Sequence, residues 1–313
     1  MRKKVTVIGA GNVGATIAHW IASKELADVV LVDIVEGMPQ GKALDLAECG
    51  PVEGFDLTII GTNDYALTAN SDVGVITAGK PRRIDPETGE YPSRDELVKD
   101  NQKIVGTVVR NFAKHSPNAV LIVVSNPLDA MCHVALRESG FPAQRVIGQA
   151  GALDTARYKT FIAMELGVSV KDVHGLVLGG HGDTMVPLPN HTSVAGIPVM
   201  ELIEPETLEQ IIQRTRDGGG EIVGLLGHSG YYAPASATVS MVESVIRDQK
   251  RVIPSAAYLQ GEYGYQDLFI GVPCVLGAGG VEKVVEMKLS KQERAMLDHS
   301  ADAVKSVVEV LGY

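Results

Sequence analysis

The chain has 313 residues, 45% of them hydrophobic and 21% charged, the composition of a soluble globular protein with room for two domains of about 150 residues each. Its net charge of −10 argues against nucleic acid or an anionic membrane surface as partner, since both would be repelled at long range. Cys49, Cys132 and Cys274 are dispersed, without metal-ligand spacing, and apolar runs such as Ala119 to Val124 are strand-sized; a reduced, cytoplasmic setting without metal or membrane span is expected.

Lys4 to Ile8 reads as a buried strand that begins without a preceding signal region and ends in Gly9-Ala10-Gly11-Asn12-Val13-Gly14. A helical pattern follows through Ile17, Trp20 and Ile21, and a second apolar run, Val29 to Val32, closes on Asp33, 19 residues after Gly14. A glycine-rich turn between strand and helix, with an acid at the end of the next strand, is the dinucleotide-binding context. In that reading Gly9 makes the tight turn, Gly11 lets backbone approach a pyrophosphate, and Gly14 lets the helix pack on the sheet. Free N–H groups at the helix N-terminus face the anion. Asp33 is expected to accept from ribose hydroxyls, and its charge favours NAD over NADP, since Ile34-Val35-Glu36 supplies no offsetting arginine. A plain strand-end turn acid is the alternative for Asp33.

Further strand-like runs are Leu57 to Ile60, Val73 to Thr77 and Val120 to Val124, with helical stretches between them including Asp95 to Lys114. Alternation of this kind predicts an α/β fold whose N-terminal half is a doubly wound parallel sheet. Between these elements, residues 79 to 95 form a loop rich in Pro, Gly and charge, carrying Arg82, Arg83 and Arg94. Such a loop beside a cofactor suits a lid that excludes water and adds positive charge, or is simply a solvated loop. The last parallel strand runs into Ser125-Asn126-Pro127. The first domain is expected to span 1–148 and a second, α+β in character, 149–313.

In the second half Asp154 to Leu166 reads as a helix and Val173 to Leu178 as a strand feeding Gly179-Gly180-His181-Gly182-Asp183. Glu206 to Thr215 reads as a helix that meets Gly218-Gly219-Gly220, a break or a close-packing point. Ala235 to Arg247 and Lys291 to Leu311 read as helices, and Phe269 to Leu276 as strand. Oxidising a secondary alcohol needs a base for the hydroxyl proton, and neutral imidazole serves near neutral pH. His181 between glycines can reach a cleft; Asp154 would fix its tautomer and stabilise the imidazolium. Three residues on, on the same helix face, Arg157 offers a planar fork for a carboxylate. The bland alternatives are an N-cap role for Asp154 and a substrate-free Asp154–Arg157 ion pair. Together the two ends point to NAD-dependent oxidation of a 2-hydroxy acid.

The runs Val7 to Gly14, Gly37 to Asp45, Val124-Ser125-Asn126-Pro127-Leu128-Asp129 and Leu178 to Asp183 resemble the lactate/malate dehydrogenase family, over nearly the whole chain and in the family's order. The resemblance implies that His181 accepts the proton, that Asp154 partners it and that Arg157 anchors the C1 carboxylate. Asn126 would contact both substrate and cofactor, after a cis Asn126–Pro127 bond, with Val124, Ser125 and Asn101 near the nicotinamide end. Arg94 matches the lid arginine that polarises the substrate carbonyl. Arg82 matches the position that separates malate from lactate specificity, an arginine there suiting a second carboxylate. A small dicarboxylate substrate and a homodimer or homotetramer are further implications. Arg82 and Arg94 stand 12 positions apart, whereas relatives have about half that spacing, so the choice between Arg82 and Arg83 is open and the lid is longer and more acidic. Lactate dehydrogenase, and an NAD-binding sensor without catalysis, are the competing readings.

Overall fold

A computed structural model describes residues 2–80 and 93–312. Its backbone is one nine-stranded sheet in the order β14-β13-β12-β6-β5-β4-β1-β2-β3. The six N-terminal strands are β1 (Lys4–Ile8), β2 (Asp28–Val32), β3 (Ile59–Thr62), β4 (Val73–Ile76), β5 (Val120–Val123) and β6 (Val146–Gly148), all mutually parallel where they pair. Their sequences are nearly continuous runs of Val, Ile and Leu because helices cover both faces. Helix α1 (Asn12–Ser23) buries Ile17 and Ile21 on one face, each side chain worth about 2 kcal/mol of burial. Helices α2 (Met38–Glu48) and α3 (Gly50–Glu53) follow β2. The long helix α4 (Arg94–His115) and α5 (Leu128–Ser139) bury Val98, Val105, Phe112, Met131 and Val134 on the opposite face. Ser93 and Glu96 cap α4 reciprocally, which fixes where the helix starts.

Strand order reverses between β1 and β4. Ligands of open α/β sheets sit in the crevice beyond the strand C-termini at that point, and Gly9 and Thr77 leave the sheet there. The sheet then continues instead of stopping at the parallel part. β6 pairs antiparallel with β12 (Arg251–Gln260) at Ala256 and Gly148, and β12 pairs with β13 (Gln266–Gly277), itself paired with β14 (Gly280–Val284). The C-terminal half is therefore α+β in content but shares its sheet with the N-terminal half.

Helix α6 (Ala150–Leu166) leaves β6 almost directly. It begins four residues before the sequence-based start, so Asp154 lies in the second turn and is not an N-cap. The expected strand from 173 to 178 is two short strands, β7 (Val173–His174) and β8 (Val177–Leu178). β8 pairs with β9 (Val186–Pro187), and β10 (Ser193–Val194) joins β7 to β11 (Ile197–Pro198). Helix α7 (Pro205–Leu226) runs unbroken through the three glycines. Helix α8 (Tyr232–Ile246) packs its Val239 and Val242 in the same core as Ile17 and Ile21, and α9 (Lys291–Glu309) adds Leu297 and Val304. No described helix is long and apolar enough to cross a membrane.

Candidate active site

At the tip of β1 the chain turns at Gly9, whose φ of 109° is a left-handed value that side chains rarely adopt. A Cβ on Gly14 would sit 1.8 Å from the Gly9 carbonyl oxygen, whereas a Cβ on Gly11 would meet nothing within 4 Å. One glycine thus lets helix press on turn, and another leaves open space at a helix N-terminus that has no side-chain cap. Asn12 and Gly11 are exposed there and Val13 packs partly into the core. The uncapped amides and the empty cradle fit a dinucleotide pyrophosphate.

Asp33 lies half-buried at the end of β2, where Oδ2 accepts from Ala10 N at 2.7 Å and Oδ1 from Val35 N at 3.1 Å. The Ala10 amide is therefore held by Asp33, and Ala10 contributes to the turn's shape. Lys42 Nζ donates to Ala10 O at 2.7 Å from the neighbouring helix. Asp33 keeps further lone pairs for hydroxyl donors, and its charge opposes a phosphate at the same place.

From Gly9 a chain of hydrogen bonds leads across the crevice. Thr77 Oγ1 donates to Gly9 O at 2.9 Å, and Ser125 Oγ donates to Ala78 O at 2.7 Å. Asn101, 1% exposed, receives Lys80 N at 2.7 Å and donates to Lys80 O and Asn126 O. The polar atoms of Ser125 and Asn101 are thus engaged with backbone and hold the loops after β4 and β5, where the resemblance places the nicotinamide end. Val124 lies half-buried, its amide on Ile76 O. Asn126 is exposed and its bond to Pro127 is cis. Arg82 and Arg83 lie outside the described residues, as does the 84–92 insertion; Arg94 is the first residue of α4.

His181 leaves the tip of β8 and meets α6. Its Nδ1 lies 3.0 Å from Asp154 Oδ2. A carboxylate only accepts, so Nδ1 carries the hydrogen and Nε2 keeps the lone pair that can take a proton. Nε2 has no hydrogen bond among the described residues. Asp154 is 2% exposed, and its Oδ1 is 3.6 Å from Arg157 Nη1. Burial disfavours the imidazolium, but Asp154, by charge and hydrogen bond, with Asp129 behind it, holds the His181 pKa above its ordinary value despite Arg157.

Arg157 is anchored by α7: Nη1, the nitrogen nearest Asp154, donates to Thr215 O at 3.3 Å. A Cβ on Gly218 would lie 2.4 Å from Arg157 Cδ, and one on Gly219 would be 4.0 Å from Nη2. The glycine run is the close-packing point: it lets the arginine lie flat against α7. Sequence reasoning left open which role the run had, and it missed the Thr215 carbonyl, for which backbone acceptors give no sequence signal. Asp129, in the first turn of α5, was also missed as a site residue. Its Oδ2 receives His181 N at 3.0 Å. The available signal was a carboxylate three residues after Asn126.

A phosphate-ready turn in the N-terminal half, and in the C-terminal half an arginine fork and a base whose tautomer is fixed by a carboxylate, are the parts of a nicotinamide-dependent dehydrogenase of 2-hydroxy acids. Residues 3–148 match the lactate/malate dehydrogenase NAD-binding domain and residues 151–311 the lactate/malate dehydrogenase alpha/beta C-terminal domain. The chain belongs to the lactate/malate dehydrogenase family. It is 58% identical over 312 residues, 99% of each chain, to a malate dehydrogenase of Roseiflexus castenholzii. It is similar to the solved malate dehydrogenase of Salinibacter ruber, at 54% identity and a TM-score of 0.93 over 99% of this chain and 97% of that one. A lactate dehydrogenase of Cryptosporidium parvum, solved with lactic acid and nicotinamide adenine dinucleotide, is 40% identical with a TM-score of 0.94, over 100% of this chain and 98% of that one.

Proposed function

We propose that this enzyme interconverts malate and oxaloacetate with NAD. The observation that carries the reading is the 3.0 Å contact of His181 with buried Asp154, with Arg157 beside it on the same helix. When bound, NAD supplies the acceptor for the C2 hydride of malate. The chain's residues then have separate tasks. Arg157, braced by Thr215 and Gly218, grips the C1 carboxylate through its planar fork. His181 Nε2 takes the C2 hydroxyl proton, leaving a carbonyl at C2 and an imidazolium stabilised by Asp154. In the reverse direction the same imidazolium returns the proton to the forming alkoxide. Gly9, Gly11 and Gly14 seat the pyrophosphate and Asp33 the ribose. Asn126 orients substrate and nicotinamide, and Arg94 polarises the carbonyl. The choice of a dicarboxylate rests on Arg82 and on the malate dehydrogenases among the relatives.

The likeness to a lactate dehydrogenase makes pyruvate the competing substrate, and a sensor would turn over neither. NADH consumption with oxaloacetate, with pyruvate and with no substrate separates the three. The proposal expects rapid consumption with oxaloacetate alone; pyruvate turned over at an equal or greater kcat/KM would overturn the malate assignment. We also read the chain as two domains meeting near Gly148, where parallel pairing gives way to antiparallel, and as a cytoplasmic homodimer or homotetramer. Exposed Leu44, Val52 and Leu225 support an assembly, which sedimentation would test.

A further inference from the structure

His181 is held at two ends by two different carboxylates. Asp154 takes the ring; Asp129 takes the backbone, its Oδ2 accepting His181 N at 3.0 Å. The preceding amide, Gly180 N, is bound to Ser300 Oγ at 2.9 Å. The segment that carries the imidazole is thus stapled at two consecutive amides, and one staple is charged. Asp129 is 7% exposed and its Oδ1 has no hydrogen-bond partner among the described residues. Burying a charge that is half unpaired is unfavourable. An asparagine oxygen would accept the same N–H without that charge, so the hydrogen bond alone does not explain a carboxylate here. Among the described residues the cation facing it is the His181 imidazolium. Among the described residues, the charged groups facing His181 are Asp154 and Arg157 from α6 and Asp129 from α5; those facing Asp129 are His181 and Asp154, with the Cys132 thiol, kept neutral by burial, one turn on along α5.

We propose that Asp129 is a positioning residue for proton transfer: it fixes the main chain of His181 and places a second negative charge behind the imidazolium. It lies three residues after Asn126 on the same turn-to-helix segment, so the amide expected to orient substrate and the base expected to exchange its proton share one rigid mount. The inference rests on the reading of His181 as the proton-exchanging group. Burial lifts the Asp129 carboxyl to about 6, so its charge is present through the neutral range and fades below it.

The test is the titration of His181 itself, followed by NMR on histidine-labelled protein without cofactor, with a His181→Gln variant to assign the resonance. Asp129→Asn keeps an acceptor and removes the charge. It is expected to lower the His181 midpoint by about one pH unit, and to move the pH limit of oxaloacetate reduction downward by the same amount, with little change in the oxaloacetate KM. Asp129→Ala removes both and is expected to lower kcat further. Asp129→Ala removes the charge as well and should lower the midpoint in the same direction, which keeps the test open if Asp129→Asn does not fold. A His181 midpoint unmoved by removal of the Asp129 charge would overturn the proposal. That result does not depend on turnover, so an enzyme inactive on oxaloacetate would defeat the functional reading separately.

Discussion

Replacing Asp154 with asparagine keeps the side-chain shape and removes the charge that faces His181. Nδ1 and Oδ2 are 3.0 Å apart; with charge centres about 4 Å apart and an effective dielectric of about 20, the lost attraction is about 4 kcal/mol. At about 1.4 kcal/mol per tenfold, that corresponds to a fall in kcat of up to about a thousandfold, reduced where Asp129 still faces the imidazolium. The asparagine also has a nitrogen to present, which would turn the imidazole to the wrong tautomer. Arg157 keeps its bond to Thr215 O, so the oxaloacetate KM should change less than about tenfold. Steady-state NADH oxidation over a range of oxaloacetate concentrations, with a thermal melt to confirm folding, measures both. A kcat within about threefold of the unaltered enzyme, or a loss confined to KM, would refute the role given to Asp154.

Gly218→Ala places a methyl 2.4 Å from Arg157 Cδ and should tilt the guanidinium, raising the oxaloacetate KM by about tenfold or more with NADH affinity unchanged; saturation curves for each ligand check it. Malate oxidation needs neutral His181 and should rise with pH through its raised pKa, while oxaloacetate reduction needs the imidazolium and should fall over the same window. The sign for stability is the same as for reduction: the His181 contribution is full below its unfolded value of about 6.5 and is lost as pH rises through the higher folded value, measurable by denaturant melts. Arg82→Gln should depress oxaloacetate turnover more than pyruvate turnover, and an unchanged ratio of the two would remove Arg82 from the specificity argument.

Where local pattern and tertiary packing agree, the elements are legible from residues alone. Lys4–Ile8 and α4 are such cases, the first an apolar run buried on both faces, the second read as Asp95 to Lys114 and found as Arg94–His115. The start of α6 was not legible because Gly151 reads as a breaker; in the fold a Cβ there would lie 2.6 Å from Pro254 Cβ, so packing demands the glycine inside the helix. The strand β12 escaped for a related reason. Pro254 argues against a strand, yet it stands opposite Pro273, where neither residue has an N–H to give. His181, Asp154 and Arg157 were legible because their chemistry is unusual at that spacing. Asp129 and the Thr215 carbonyl act on backbone or through it, and only coordinates bring them to the site.

The most direct test is a crystal structure with NADH and a non-reducible dicarboxylate analogue of oxaloacetate. The account predicts the analogue's C1 carboxylate on the Arg157 fork and its C2 oxygen within about 3 Å of His181 Nε2, facing the nicotinamide. A ligand seated with its carboxylate away from Arg157, or with His181 turned from the C2 oxygen, would contradict it.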